Sequence, residues 1–345
     1  MKPAFDRIVG NQALKKRLAE DIQNGLLSHA YILEGARGSG KHTLALSVAA
    51  ALACQRKDDA SLPLPCCSCP ACQKVLSGNS PDVSYIRREK DRATLGVDVI
   101  RELRQDVAIS PNELAAKIYI VEDAHLMTEE AQNAFLLTLE EPPPYVLFLL
   151  LCETSATLLE TVKSRAPILR TEPIDAEEIA RFLRRSTAEG EALAKSSPEE
   201  FAEITAGAGG SIGVALELLS PQKRKPLVAK REAAKGFVRL CAERKSALAT
   251  VRYLNGLTAK RDELIEQLNV TLLCFRDLLL CKQTENAPLC FFVSREEACK
   301  TAYEFTTPDL LEICDAICET VDRLKANANL RIAMATFAAR CRLLS

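Results

Sequence analysis

Residues 29–41 read HAYILEGARGSGK, and this stretch decides the fold. AYILE at 30–34 is a short apolar strand, and the residues from Lys41 to about 53 read as a helix. Between them Gly35, Gly38, Gly40 and Lys41 fall at the GxxxxGK spacing of a phosphate-cradling loop. Glycines let backbone N–H groups turn inward around phosphates, and the helix N-terminus adds partial positive charge. Lys41 is the compact cation for the β- and γ-phosphates of ATP or ADP. The next position departs from the pattern. A hydroxyl that would hold Mg²⁺ is replaced by His42, with Thr43 one residue late. Mg²⁺ prefers hard oxygen ligands, and one residue turns a helical side chain by roughly 100°. The loop is therefore expected to bind phosphate but to place the metal poorly.

Working outward, KIYIV at 117–121 is a strand that runs into Glu122 and Asp123. Two carboxylates at a strand end suit a metal ligand and a water-activating base, but the order is Glu-Asp where Asp-Glu is expected. Each reach is then wrong by about one methylene, and general-base catalysis requires hydrogen-bond-range placement. Further strands read at 83–87, 145–151 and 167–171, with helices at about 97–108 and 129–140. Strands alternating with helices predict a mostly parallel α/β sheet covered on both faces. After Pro173 the strands stop. An Asp175/Glu178 pair, Ser197-Pro198 and the segment 211–219 mark a small three-helix unit. The polar stretch PQKRKP at 221–226 marks a second boundary, and the remainder reads as helical. The expected domains are 1–173, with an insertion at 54–82, then 174–222 and 223–345. Leu310, Cys314, Ile317, Val321 and Leu324 form one apolar helical stripe, for core packing or for a subunit seam.

The chain has 345 residues, 48% of them apolar, and a net charge of −1. That balance excludes a protein that grips nucleic acid with its whole surface. Lys223, Arg224, Lys225, Lys230, Arg231 and Lys235 form one local basic strip, for DNA contact or as a solvated first helix. No apolar run approaches the ~20 residues of a membrane-spanning helix, and MKPAFDRIVGNQ has no signal-peptide h-region. A cytoplasmic protein is expected. Nine of the fourteen cysteines are scattered among apolar residues as small hydrophobes. Cys66, Cys69 and Cys72, joined by Cys54, have the spacing of a structural Zn²⁺ site with no open position. Cys67 is the spare and competes with Cys66; an iron–sulfur cluster is the alternative.

The blocks FDRIVGNQ (5–12), HAYILEGARGSGK (29–41), the cysteine insert, SGNSPDV (77–83), KIYIVEDAHLM (117–127), NAFLLTLEEPP (133–143) and TVKSRAP (161–167) occur in order. Together they resemble the bacterial clamp-loader ATPase family over roughly residues 5–220. The resemblance implies an AAA+ P-loop domain, a zinc-bearing insertion, a three-helix lid and an all-α collar. It implies a pentameric ring with delta- and gamma/tau-type subunits, which loads the sliding clamp onto primed DNA for the polymerase III holoenzyme. The family's Ser-Arg-Cys motif reads Ser164-Arg165-Ala166 here, so Arg165 is the candidate arginine finger for a neighbour's ATP. Cys152 stands where hydrolysing members carry a polar sensor, and Gly213 where they carry a lid arginine. With His42 and the inverted Glu122-Asp123, four hydrolytic roles are altered, which favours a ring subunit that does not turn over ATP. The alternatives are an ATP-hydrolysing gamma/tau-like motor and a P-loop small-molecule kinase.

Overall fold

Val146–Cys152 is apolar along its whole length and buried at every residue, which only a strand covered on both faces permits. In the computed structural model, which describes residues 5–59, 61–89, 92, 94–243, 252–253, 256, 260–284 and 289–341, it is the middle strand of five. The strands are β1 (Ala30–Glu34), β2 (Val83–Ile86), β3 (Lys117–Val121), β4 (Val146–Cys152) and β5 (Ile168–Arg170). All pairings are parallel, in the order β2-β3-β4-β1-β5. The α/β expectation holds, with strand ends within a residue or so of those read from the sequence.

Helices α1 (Gln12–Asn24), α2 (Lys41–Ala53), α3 (Pro70–Leu76), α4 (Val97–Val107), α5 (Glu129–Glu140) and α6 (Glu160–Lys163) complete this part of the chain. Two apolar layers form because strand residues alternate between faces. Leu33, Ile118, Ile120, Leu149 and Leu151 pack with Leu44 and Val48 of α2. Ile32, Tyr119, Phe148 and Leu150 pack with Ile100 and Leu103 of α4 and Phe135 of α5. Phe148 is stacked on Tyr119 and edge-on to Phe135, with centroids 5.4 and 5.1 Å away.

The described chain divides into two compact units, residues 1–174 with 211–213, and the remainder. The second unit is helical. Its first helices are α7 (Ala176–Ser186), α8 (Ala188–Ser196), α9 (Pro198–Gly207) and α10 (Ile212–Leu219). The three helices read from the sequence are present, and α8 is an additional one. It is short and little buried, so it leaves a weak apolar pattern. Asp175 sits at the N-cap of α7 without a side-chain cap bond.

PQKRKP is not an irregular linker but the opening of α11 (Pro221–Ala242). Pro221 occupies the first turn, where a missing N–H costs nothing, whereas Pro226 lies inside the helix. The helices α12 (Arg261–Gln283), α13 (Arg295–Ala302), α14 (Thr307–Lys325) and α15 (Leu330–Arg340) follow. The stripe on α14 is internal: Leu310, Ile317, Val321 and Leu324 are buried in a core with Phe275 and Leu278 of α12. The core-packing reading of that stripe therefore stands. Asp277 is fully buried and accepts the N–H groups of Cys290, Phe291 and Phe292, fixing the turn before α13. Among the described residues no helix is long and apolar enough to cross a membrane.

Asp82, at the foot of β2, is fully buried and accepts N–H groups of Asn112, Glu113 and Leu114 at 2.6–2.8 Å. Burial pushes its carboxyl up, but those three donors and Lys117 pull it below the ordinary range. A carboxyl with a lowered folded-state pKa contributes stability above its unfolded value of about 3.9 and loses it as pH falls further. Asp82→Ala is expected to cost about 3 kcal/mol in urea unfolding at neutral pH, and the gap from wild type should shrink in acid below about pH 4.

Candidate functional site

The phosphate loop leaves the sheet at Glu34, beside Cys152 at the end of β4, whose carbonyl accepts the Gly35 N–H at 3.1 Å. Gly35 is required by space. A Cβ there would stand 1.9 Å from Thr171 Oγ1 and 2.8 Å from Ser39 Oγ. Those two hydroxyls hydrogen-bond to each other at 2.9 Å, bracing the loop against the segment after β5. Gly40 caps α2 with φ +90°, and Lys41 begins the helix. The Lys41 ammonium donates to the carbonyls of Gly35 and Ala36 at 2.6 and 2.8 Å. Burial pushes its pKa down, while Glu153, Cys152 and Asp123 push it back up. Thr43 lies one position further along α2 than His42, and its carbonyl accepts from Ser47.

Residues 211–213 lie directly on this loop. Ser211 Oγ donates to Arg37 O and the Gly213 N–H donates to Gly38 O, each at 3.0 Å. A Cβ on Gly213 would approach Gly38 Cα to 2.7 Å, backbone against backbone. No side chain fits at 213 in this packing, an arginine least of all. Cys152 is buried, and burial first, with Glu34 adding to it, pushes its thiol up to about 12. It is a neutral thiol and not a strong polar sensor.

Glu122 and Asp123 end β3 as expected, but their surroundings were not legible. The Glu122 Oε1 atom lies 3.3 Å from His42 Nε2 and 2.8 Å from Arg87 Nη2. Tyr85 of β2 lies against both side chains. His42 stacks on its ring at 5.6 Å, and the Arg87 guanidinium lies 4.9 Å from its centroid. The hydrogen bond from His42 holds the Glu122 carboxyl below its ordinary range, burial opposes it, and Arg87 adds to the lowering. Asp123 adopts a left-handed backbone, φ 50°, and its carboxylate is 3.9 Å from Arg88. These residues do not fit Mg²⁺. An imidazole stands where a hydroxyl belongs, and the first carboxylate is already bonded to a guanidinium. Sequence reasoning missed Tyr85, Arg87, Ser39 and Thr171; the arginine pair directly after β2 was the one available signal.

Arg165, just past α6, donates to Glu140 Oε1 at 2.7 Å, to Thr161 O at 2.9 Å and to Ser164 Oγ at 3.3 Å. Its side chain is one-third exposed.

The cysteine cluster assembles as read. Cys54 caps the C-terminus of α2, and Cys66, Cys69 and Cys72 form a knuckle leading into α3. All four are buried and their sulfurs lie within 4.8 Å of one another. A tetrahedral ion with metal–sulfur bonds of about 2.3 Å holds sulfurs about 3.8 Å apart, so the donor set fits a thiolate-bound ion. The Cys69 and Cys72 N–H groups each donate to the preceding cysteine's sulfur at 3.4 Å. Burial pushes the Cys66 thiol up, but N–H groups of Ser68 and Cys69 outweigh it and bring it to about 6. Cys67 faces away, with its thiol on Pro65 O, so Cys66 belongs to the four.

In the basic strip, Arg224 pairs with Glu200 and Lys235 with Glu297, at 2.8 and 3.1 Å. Lys230 pairs with Glu266, and Arg231 stacks on Phe291 while bonding its carbonyl. Lys223 and Lys225 are exposed. The strip is thus mainly the charged flank of a packed helix.

A family model described as "DNA polymerase III, delta subunit" matches residues 10–175. The DNA polymerase III subunit gamma of Buchnera aphidicola is 30% identical over 217 residues, 63% of this chain and 57% of that protein. The subunit delta' of Yersinia pestis is 33% identical over 150 residues, 44% of this chain and 43% of that one. The chain therefore spans about half the length of these curated relatives. Among solved structures, a gamma-subunit-related protein of Thermotoga maritima aligns over 95% of this chain and 98% of that one, at 16% identity and a TM-score of 0.40.

If the Gly213–Gly38 contact shuts out a side chain, Gly213→Arg should lower stability by about 1–3 kcal/mol, seen as a reduced melting temperature. The same change in an open site would leave melting unaltered.

Proposed function

We propose a role within the bacterial DNA polymerase III clamp-loader family, to which this chain belongs: a delta-prime-like ring subunit that does not turn over ATP and presents Arg165 to a neighbour's nucleotide. The observation that carries the first half is the state of Glu122. Its Oε1 atom is bonded to both His42 and Arg87, so a metal at this position would compete with the chain's own side chains. Gly213 packed on Gly38 and a neutral, buried Cys152 point the same way.

The second half rests on Arg165. In the isolated chain it holds Glu140 and the end of α6, and docking against a neighbour would exchange Glu140 for a γ-phosphate. A guanidinium delivered in this way stabilises transition-state charge by several orders of magnitude in rate. The partners are the delta- and gamma/tau-type subunits, with the sliding clamp and primed DNA reached through the complex, in the cytoplasm. A motor role for this chain would require a metal site that its residues do not form.

The four buried cysteines hold structural Zn²⁺ in this reading. Thiolates alone, without an open position, favour a structural over a catalytic ion.

Two experiments test these roles. In the reconstituted complex, Arg165→Ala should cut the neighbouring site's ATP hydrolysis by about a thousandfold, while Lys41→Ala should change the complex's rate by less than about twofold. The opposite ranking removes the role assignment. For the insertion, elemental analysis should find zinc retained by Cys67→Ser and lost from Cys72→Ser, with chelation destabilising wild type by several kcal/mol.

A further inference from the structure

His42, Tyr85, Arg87 and Glu122 form a closed circuit. The imidazole and the guanidinium lie against the same tyrosine ring, at 5.6 and 4.9 Å, and both reach the same carboxylate oxygen, at 3.3 and 2.8 Å. The residues come from three elements: His42 from the first turn of α2, Tyr85 and Arg87 from β2 and its end, Glu122 from the end of β3. β2 and β3 are paired in register, with Ile86 opposite Val121, so the sheet itself sets Arg87 beside Glu122.

We propose that Arg87 supplies from within the chain the positive charge that a divalent cation supplies at an ordinary phosphate loop, so that this loop holds a nucleoside diphosphate without divalent metal. The inference rests on the phosphate-binding role of the Lys41 loop and not on the absence of turnover. A divalent ion at a phosphate loop does two things: it neutralises phosphate charge, and it bridges phosphate to the strand-end carboxylate. Here the carboxylate is satisfied by a permanent cation, since a guanidinium stays protonated at any physiological pH. Its planar fork can donate to a second oxygen anion while keeping the first. Tyr85 lies against the guanidinium at 4.9 Å and Arg87 remains more than half exposed, which leaves the N–H groups not used on Glu122 open to a further oxygen. To enter, Mg²⁺ would have to displace Arg87 from Glu122 and accept a poor nitrogen ligand from His42.

The test is displacement of a fluorescent ADP analogue by ADP on the full-length chain, in excess EDTA and in millimolar MgCl₂. Wild type should bind equally, within about twofold, in the two buffers. Arg87→Ala should weaken binding in EDTA by about tenfold and regain most of it with Mg²⁺. Bound Mn²⁺ counted by electron paramagnetic resonance in the presence of ADP should appear only in that variant. Arg87→Lys, which keeps the charge and the fold, should remain indifferent to metal. Tightening of wild-type binding by about tenfold or more with Mg²⁺ overturns the proposal, as does failure to bind ADP in either buffer. An Arg87→Ala protein that melts earlier yet shows no response to metal also overturns it, leaving the circuit a structural tie. Phosphate release by the isolated chain is a separate readout: it would sink the non-hydrolysing role without bearing on metal dependence.

Discussion

Burial of β1 on both faces, between β4 and β5, is the constraint on which the site depends. Ala30, Tyr31, Ile32 and Leu33 are all essentially inaccessible, so this strand has no freedom to shift register without exposing apolar surface. A fixed strand fixes where the chain leaves the sheet. The exit falls at Glu34, and Gly35 must then pass under Thr171 with no room for a Cβ. The phosphate loop, the start of α2 and the contact with residues 211–213 follow from that one exit point.

Around this frame the polar groups of the loop are engaged within the chain. Lys41 turns back onto the carbonyls of its own loop, Glu122 is bonded to His42 and Arg87, and Gly213 packs backbone against backbone on Gly38. Each change by itself is compatible with a working site that has drifted. In the proposed reading, their concentration around a loop that keeps its glycines and lysine marks a retained scaffold with altered chemistry.

The strands and the main helices of the first 174 residues were legible because short continuous apolar runs bounded by turn signals, and the glycine loop, are strong local signals. The four cysteines were legible by spacing, although only geometry separates Cys66 from Cys67, whose thiol turns to Pro65 O. α8 was not legible, since a short, little-buried helix carries almost no amphipathic stripe. PQKRKP read as a break because proline and charge are loop signals, yet Pro221 sits where a helix tolerates it best. The tie from Arg87 to Glu122 was out of reach, since the two are 35 residues apart and only the pairing of β2 with β3 brings them together.

α2 has a glycine loop at one end and a cysteine sulfur at the other. Thirteen residues of helix make a rod of about 20 Å, and Cys72 is tied back to it through Ala50 O at 3.4 Å. An ion held by the four sulfurs, as proposed, would clamp the far end of the helix that Lys41 begins. Removing such an ion would loosen the helix at its cysteine end, which couples the thiol knot mechanically to the lysine that the other end holds on the loop carbonyls.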